Sequence, residues 1–179
     1  MELHKNITIG KLKFKNFINL NLEENIEVLG WRNDDRIKNM MFTKDIISLS
    51  SHLNFIDALK SSSTKLYYIV EYADAKIGVV DYYDIEVDSA YWGFYLNPNL
   101  LNSSFGVLLE YYVLEIAFGL LKIETLYCET LKKNERVLKM HTEFGFIVDK
   151  QIDDSIHTRI SKVDWEKKRV DFEPLMRMF

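Results

Sequence analysis

Three runs rich in β-branched and aromatic residues follow one another in the middle of the chain: 65–71 (KLYYIVE), 76–83 (KIGVVDYY) and 89–96 (SAYWGFYL). Only short turns at 73–75 and 85–88 separate them, too short for a crossover helix. The three must therefore pair as an antiparallel meander, and everything else has to pack on that sheet. Pro98 ends the third run, because a proline cannot continue a ladder. After a loop, 106–121 reads as a buried helix with Leu109, Val113, Ile116 and Leu120 on one face. Residues 125–131 read as a strand, 134–144 as a short helix, and 146–151 with 156–163 as a last pair of strands.

Upstream, 7–17 alternates apolar and polar (Ile7, Ile9, then Leu12, Phe14) as a half-buried strand does. Asn21 caps a helix running to about Trp31, with Leu22, Ile26 and Leu29 as its apolar face. Ser48 caps a second helix whose stripe is Leu49, Leu53 and Ile56, with His52 and Phe55 on its flank. The expected order is β-α-α-β-β-β-α-β-α-β-β, an α+β fold with one mixed sheet of about seven strands.

The 179 residues suit one domain, able to bury roughly 70% of the unfolded chain's surface without staples. Residues 1–163 are expected to form it, with 164–179 as a C-terminal arm of the same domain. That arm reads as a peripheral helix or a partner-facing segment. With 23 basic against 27 acidic side chains, the net charge of −4 argues against a general nucleic-acid binder. No apolar run approaches a membrane span and no signal-peptide core is seen, so a cytoplasmic protein with no membrane partner is expected. Cys128 is the only cysteine, which excludes an intramolecular disulfide. His4, His52, His141 and His157 show no metal-ligand spacing, so no metal is expected. An aromatic content of 13% and the C-terminal segment make a homodimer a reasonable expectation.

Chemistry is concentrated in the loop after the meander, Asn97-Pro98-Asn99-Leu100-Leu101-Asn102-Ser103-Ser104-Phe105-Gly106. Free backbone N–H groups and a positive dipole end at a helix start suit a pyrophosphate. The same residues also describe an ordinary Ser-capped helix start. Further on, Asn134 is followed seven positions later by His141, then by Phe144-Gly145-Phe146. Behind a strand and a dipolar loop, this pattern resembles the GNAT N-acetyltransferase superfamily over residues 7–163.

The resemblance implies acetyl-CoA as donor. Its pantetheine arm would add to the strand edge at Phe94, Tyr95 and Leu96, one of whose N–H groups would polarise the thioester carbonyl. Its pyrophosphate would sit on Asn102, Ser103, Ser104, Phe105 and Gly106, with Asn134 holding the arm. Two departures stand out. The family's basic residue and first glycine are replaced by Leu101 and Ser104, and its usual tyrosine by His141. That tyrosine protonates the departing thiolate. A tyrosine, with a pKa near 10, holds its proton at neutral pH, whereas a histidine near 6.5 is mostly neutral unless a partner raises it. His141 therefore serves as a weaker acid, as a base toward the amine, or as a packing residue.

A closer similarity lies upstream, in Trp31-Arg32-Asn33, Met40-Met41-Phe42 and the stretch from Ser51 to Lys60. With Phe94-Tyr95-Leu96-Asn97-Pro98, these resemble the nucleotide-sugar N-acetyltransferases of the pseudaminic acid pathway. Those enzymes acetylate the 4-amino group of a UDP-linked 4-amino-4,6-dideoxy sugar. By that resemblance Arg32 pairs with phosphate oxygens, Met41, Phe42 and Phe55 offer apolar surface to a uracil ring, His52 bonds phosphate or ribose, and Tyr91 closes the pocket. Glu129 takes the amine's proton, and attack on the thioester is direct, without a covalent enzyme intermediate. Strand alternation turns Cys128 away from Glu129, into packing. The rival readings are an acetyltransferase of protein N-termini, which needs an open peptide groove, and a non-catalytic acyl-CoA-binding module.

Overall fold

Residues 7–17 fold back on themselves where a single strand is expected. In the computed structural model, which describes residues 5–179, β1 (Ile7–Ile9) and β2 (Leu12–Asn16) form a hairpin in the register Ile9↔Leu12. Gly10, at φ +59°, takes the first position of the two-residue turn, a place that favours glycine. This turn raises the strand count among the described residues to eight, and hydrogen bonding orders the strands β1-β2-β3-β4-β5-β6-β8-β7.

Two compact units are present, one made of residues 5–83 with Phe94–Ser103 and the other of Asp84–Gly93 with Ser104–Phe179. In the first, β3 (Leu66–Tyr72) and β4 (Ala75–Tyr83) form the antiparallel pair expected from the meander. Ala73 and Asp74 both take positive φ in the turn between them. Helix α1 (Leu22–Asn33) begins with a reciprocal cap: Asn21 Oδ1 accepts from the Glu24 N–H (2.9 Å), and Glu24 accepts from the Asn21 N–H (2.8 Å). Its buried face differs from the expected one. Leu22 and Ile26 are exposed, while Leu29 is buried as expected, together with Glu24, Asn25, Val28 and Trp31. Apolar periodicity ranks Glu24 and Asn25 as outward. Here Lys15 pairs with Glu24 at 2.7 Å and Asn25 donates to the Asn21 carbonyl at 2.8 Å, so both can be buried.

A one-turn helix, α2 (Asp35–Lys38), follows directly, and then α3 (Leu49–Leu59) behind its Ser48 cap. The stripe of α3 is also rotated: His52, Ile56 and Leu59 are buried, and Leu49 is exposed. Phe17, Val28, Trp31, Ile56, Leu59, Ile69 and Val79 form one core cluster of this unit. Burying each such side chain contributes about 1.5–3 kcal/mol.

In the second unit, residues 89–92 of β5 (Ser89–Leu96) run parallel to β6 (Thr125–Leu131), from Ser89↔Thr125 to Trp92↔Cys128. On its other side β6 pairs antiparallel with β8 (Ser155–Ser161), which pairs with β7 (Ile147–Ile152). Helix α4 (Phe105–Glu115) ends in a π turn over Ile116–Leu120 that leaves Leu120 exposed, whereas Leu109, Val113 and Ile116 are buried as expected. Helix α5 (Glu135–Phe144) stops at Gly145, φ +96°, where the Phe146 N–H reaches the His141 carbonyl at 3.0 Å. The C-terminal segment holds two helices, α6 (Lys162–Lys168) and α7 (Glu173–Met176). Trp165 of α6 is buried, stacks on Phe144 and donates to Glu115 at 2.9 Å.

Candidate active site

Seven positions are two helical turns, so Asn134 and His141 share one face of α5. Phe146 follows the Gly145 turn and packs on the His141 ring at 5.2 Å, while Trp92 meets that ring edge-on at 5.4 Å. Between these aromatic walls His141 is only 1% exposed. Its Nδ1 lies 2.8 Å from Glu110 Oε1, and its Nε2 lies 3.4 Å from Cys128 Sγ. The contact continues from Cys128 Sγ to Thr130 Oγ1 at 3.6 Å.

Glu110 comes from the middle of α4 and is wholly buried, with Oε2 lacking any partner. Burial pushes its carboxyl pKa up, more strongly than His141 pulls it down. Burial alone would push His141 down, but Glu110 and the Cys128 sulfur outweigh it and hold the imidazole well above its usual 6.5. The two groups titrate as one unit. In so dry a place the pair is most stable when net neutral, as carboxylate with imidazolium or as carboxylic acid with imidazole. Either form leaves a hydrogen on Nε2, aimed at Cys128. The histidine departure thus comes with its own compensation, which sequence reasoning misses. The available signal is Glu110 itself, a lone charge inside the apolar run FGVLLEYYVL.

Glu129 and His141, the two expected catalytic residues, are not brought together. Cys128 and Glu129 alternate across β6, so His141 meets the Cys128 face while Glu129 points the other way. Glu129 Oε1 there lies 3.3 Å from His157 Nε2, its cross-strand neighbour. Tyr91 stacks on Tyr127 at 5.3 Å on the same strands, and burial and then the charge of Glu129 raise its pKa.

The donor-side residues are distributed over both units. Leu96 is buried, with Phe94 and Tyr95 half-buried on β5. Asn102 is exposed, and the Ser103 hydroxyl donates to the Leu100 carbonyl at 2.6 Å. Ser104 stands at the N-terminus of α4 without a side-chain capping bond, ahead of half-buried Phe105 and buried Gly106. The first turn of α4 holds no acidic residue, which suits an anion. Asn134 likewise starts α5 with no side-chain capping bond.

In the first unit, Arg32 and Asn33 grip the irregular segment that follows α2. Arg32 Nη2 donates to the Thr43 carbonyl (2.9 Å), while Asn33 donates to the Ile47 carbonyl and accepts its N–H, both at 2.9 Å. Arg32 Nη1 and His52 Nε2 are both buried without a hydrogen-bond partner. His52 leans on Phe17, which touches Tyr67, and Tyr67 meets Phe55 edge-on at 5.0 Å. Burial lowers the His52 pKa, so this imidazole is neutral at neutral pH. Asp81 is the β-ladder partner of Tyr67. Burial raises the Asp81 pKa to about 7. Burial likewise raises that of Tyr95, with Asp81 adding to the shift and Arg32 opposing it. Arg32, His52 and Phe55 thus belong to a cluster that also includes Tyr67, Asp81 and Tyr95. Met41 is half-buried and Phe42 is 53% exposed, with no ring contact to that cluster. Asp81, like Glu110, is a lone charge in an apolar run, and sequence reasoning passes over it.

Residues 18–147 match the acetyltransferase (GNAT) domain, and the chain belongs to that family of acetyl-CoA-dependent acetyltransferases. Within it, the chain is 33% identical over 153 residues to the acetyltransferase PseH of Campylobacter jejuni, strain 81-176, covering 86% of this chain and 96% of that protein. The crystal structure of Campylobacter jejuni N-acetyltransferase PseH in complex with acetyl coenzyme A superposes with a TM-score of 0.71 at 28% identity, over 84% of this chain and 99% of that one. FdhC, described as a nucleotide-linked sugar GNAT, gives a TM-score of 0.78 over 94% of this chain and 97% of its own, and at 20% identity speaks for the fold alone. The expected α+β GNAT fold is thus the one found, with eight strands. Among the described residues no helix is long and apolar enough to cross a membrane, and no group of His, Cys, Asp and Glu could hold a metal ion. His4 lies outside the described residues.

Proposed function

We propose that the chain acetylates the amine of a nucleotide-linked sugar, the 4-amino group of a UDP-4-amino-4,6-dideoxy sugar, as in pseudaminic acid biosynthesis. The observation that carries this reading is the pair of orphaned buried atoms, Arg32 Nη1 and His52 Nε2. A buried donor left unpaired costs about 1–3 kcal/mol, and a diphosphate oxygen would satisfy it. The 33% identity to PseH over most of both chains points the same way. A peptide N-terminus offers no dianion for Arg32, which disfavours the protein-acetylating rival.

When bound, acetyl-CoA supplies an acetyl group on a thioester, open to direct attack by an amine. On this chain, the helix start from Ser104 to Gly106 would hold phosphate, Asn134 the arm, and a main-chain N–H of residues 94–96 the carbonyl oxygen. Arg32 and His52 would fix the nucleotide, with Phe55 and Tyr67 as flat apolar support. Met41 and Phe42 would close over it from the gripped segment, and Tyr91 would bound the sugar. The amine loses a proton to a carboxylate, and the chain offers two: Glu129, beside His157, and Asp81, whose pKa of about 7 suits a base at neutral pH.

The test is release of free CoA from acetyl-CoA with a UDP-4-amino-4,6-dideoxy sugar, run beside an N-terminal peptide. Turnover with the sugar alone is the expected result. Turnover with the peptide alone, or acetyl-CoA binding without turnover of the sugar, overturns the reading.

A further inference from the structure

A histidine is shorter than the tyrosine it replaces, and here it points at a sulfur. His141 Nε2 faces Cys128 Sγ at 3.4 Å, with Glu110 Oε1 closing the other side of the ring at 2.8 Å. Exposure rises along this line, from 0% at Glu110 through 1% at His141 to 5% at Cys128. Cys128 is also the last residue of β6 paired with β5, and the strand runs on through Leu131. We propose that Glu110, His141 and Cys128 form a buried proton relay, with Cys128 as terminal donor to the departing thiolate and the Glu110–His141 pair as its reservoir.

The relay rests on the acetyl-transfer reading above. The amine nitrogen forms a bond to the acetyl carbon, and the carbon–sulfur bond breaks with its electron pair left on sulfur. The Cys128 S–H gives its proton to that sulfur, and the His141 Nε2–H moves to Cys128 Sγ. Glu110 carboxylate and Nδ1–H imidazole remain, and the proton lost by the amine restores the pair through solvent. No covalent bond to Cys128 forms. A neutral histidine acting alone would have to give up its last ring proton, a far harder step. Glu110 and His141 are positioning residues in this scheme. The other charged group acting on the pair is Glu143, which raises Glu110 further.

Two readouts separate the relay from ordinary packing. The first is ¹⁵N NMR of histidine-labelled full-length protein between pH 6 and 8.5. The His141 Nε2 should stay protonated throughout in wild type, and the Nδ1 resonance should shift in Glu110→Gln, where the proton shared across the Glu110–His141 contact is lost. A wild-type His141 that titrates freely near 6.5, or is unchanged in Glu110→Gln, overturns the reservoir. The second is kinetics. Cys128→Ala should lower kcat at least 10-fold with KM for acetyl-CoA unchanged, and Cys128→Ser should restore most of it. Full activity in Cys128→Ala, with an active wild type, overturns the relay and leaves the acetyl-transfer reading standing. A wild type that turns over no amine overturns both, and the NMR arm then reports on the proton pair alone.

Discussion

Raising the pH from 6.5 to 8.5 should destabilise this protein, with the Glu110–His141 pair as the main cause. In the unfolded chain Glu110 is ionised over that range, while His141 goes from about half-protonated at pH 6.5 to neutral above about 7.5. In the folded chain both pKa values are raised, and the pair keeps one proton because losing it would strand a carboxylate with no solvent. Raised folded values mean stability that is lost as pH rises. One extra bound proton corresponds to about 1.4 kcal/mol per pH unit, and with the unfolded histidine releasing its own proton near 6.5 the loss is about 2.3 kcal/mol over the interval. Between about 4.3 and 6.5 both states carry one proton on the pair and its contribution is flat. The assay is urea unfolding of wild type and Glu110→Gln at pH 6.5, 7.5 and 8.5. The introduced amide cannot ionise, and His141 beside it stays neutral, so the variant should lack this slope. Asp81 adds its own proton uptake below about 7, and His52, with a lowered pKa, acts below 6.5; both contributions are shared by the two proteins and cancel in the difference. Parallel stability curves for wild type and variant would refute the argument.

Asp81→Asn should remove the part of the pH dependence that lies between about 4 and 7, where the folded wild type holds a proton that the unfolded chain has released. If Asp81 is also the base for the amine, the limb near pH 7 in kcat/KM disappears in that variant and persists in Glu129→Gln; the opposite pattern assigns the step to Glu129. Arg32→Ala should raise KM for the nucleotide sugar at least 10-fold, in line with about 1.5–3 kcal/mol for a charge-assisted hydrogen bond, and leave KM for acetyl-CoA unchanged. An equal rise in both constants would show that Arg32 acts by holding the Thr43 segment rather than by contacting substrate.

Local signals in the chain carry most of the architecture. The meander, the Asn21 and Ser48 caps and the strand 125–131 can be read directly, because turn length, cap chemistry and period act over a few residues. The helix faces cannot be read so simply. Glu24, Asn25 and His52 are polar yet buried, and apolar counting cannot see the partners that permit it, such as Lys15 for Glu24 and the Asn21 carbonyl for Asn25. The same reason hides the acid pair. His141 is visible from its motif, but Glu110 lies 31 residues away on another helix, and only tertiary packing sets the two 2.8 Å apart. Glu129 is visible too, but alternation along β6 turns it from the His141 face. Asp81 carries a signal that apolar counting discards, since a charge inside a strand raises no periodicity of its own.

Arg32 and Asn33 hold the segment between α2 and α3 through its main chain, at Thr43 and Ile47, and not through any side chain of that segment. Main-chain grips are blind to sequence. Residues such as Met41 and Phe42 can therefore be exchanged without loosening the loop or disturbing α1, whose last turn supplies both grips. The segment behaves as a replaceable cassette clipped to a fixed frame. Grafting it between relatives should accordingly leave α1 and its two grips intact.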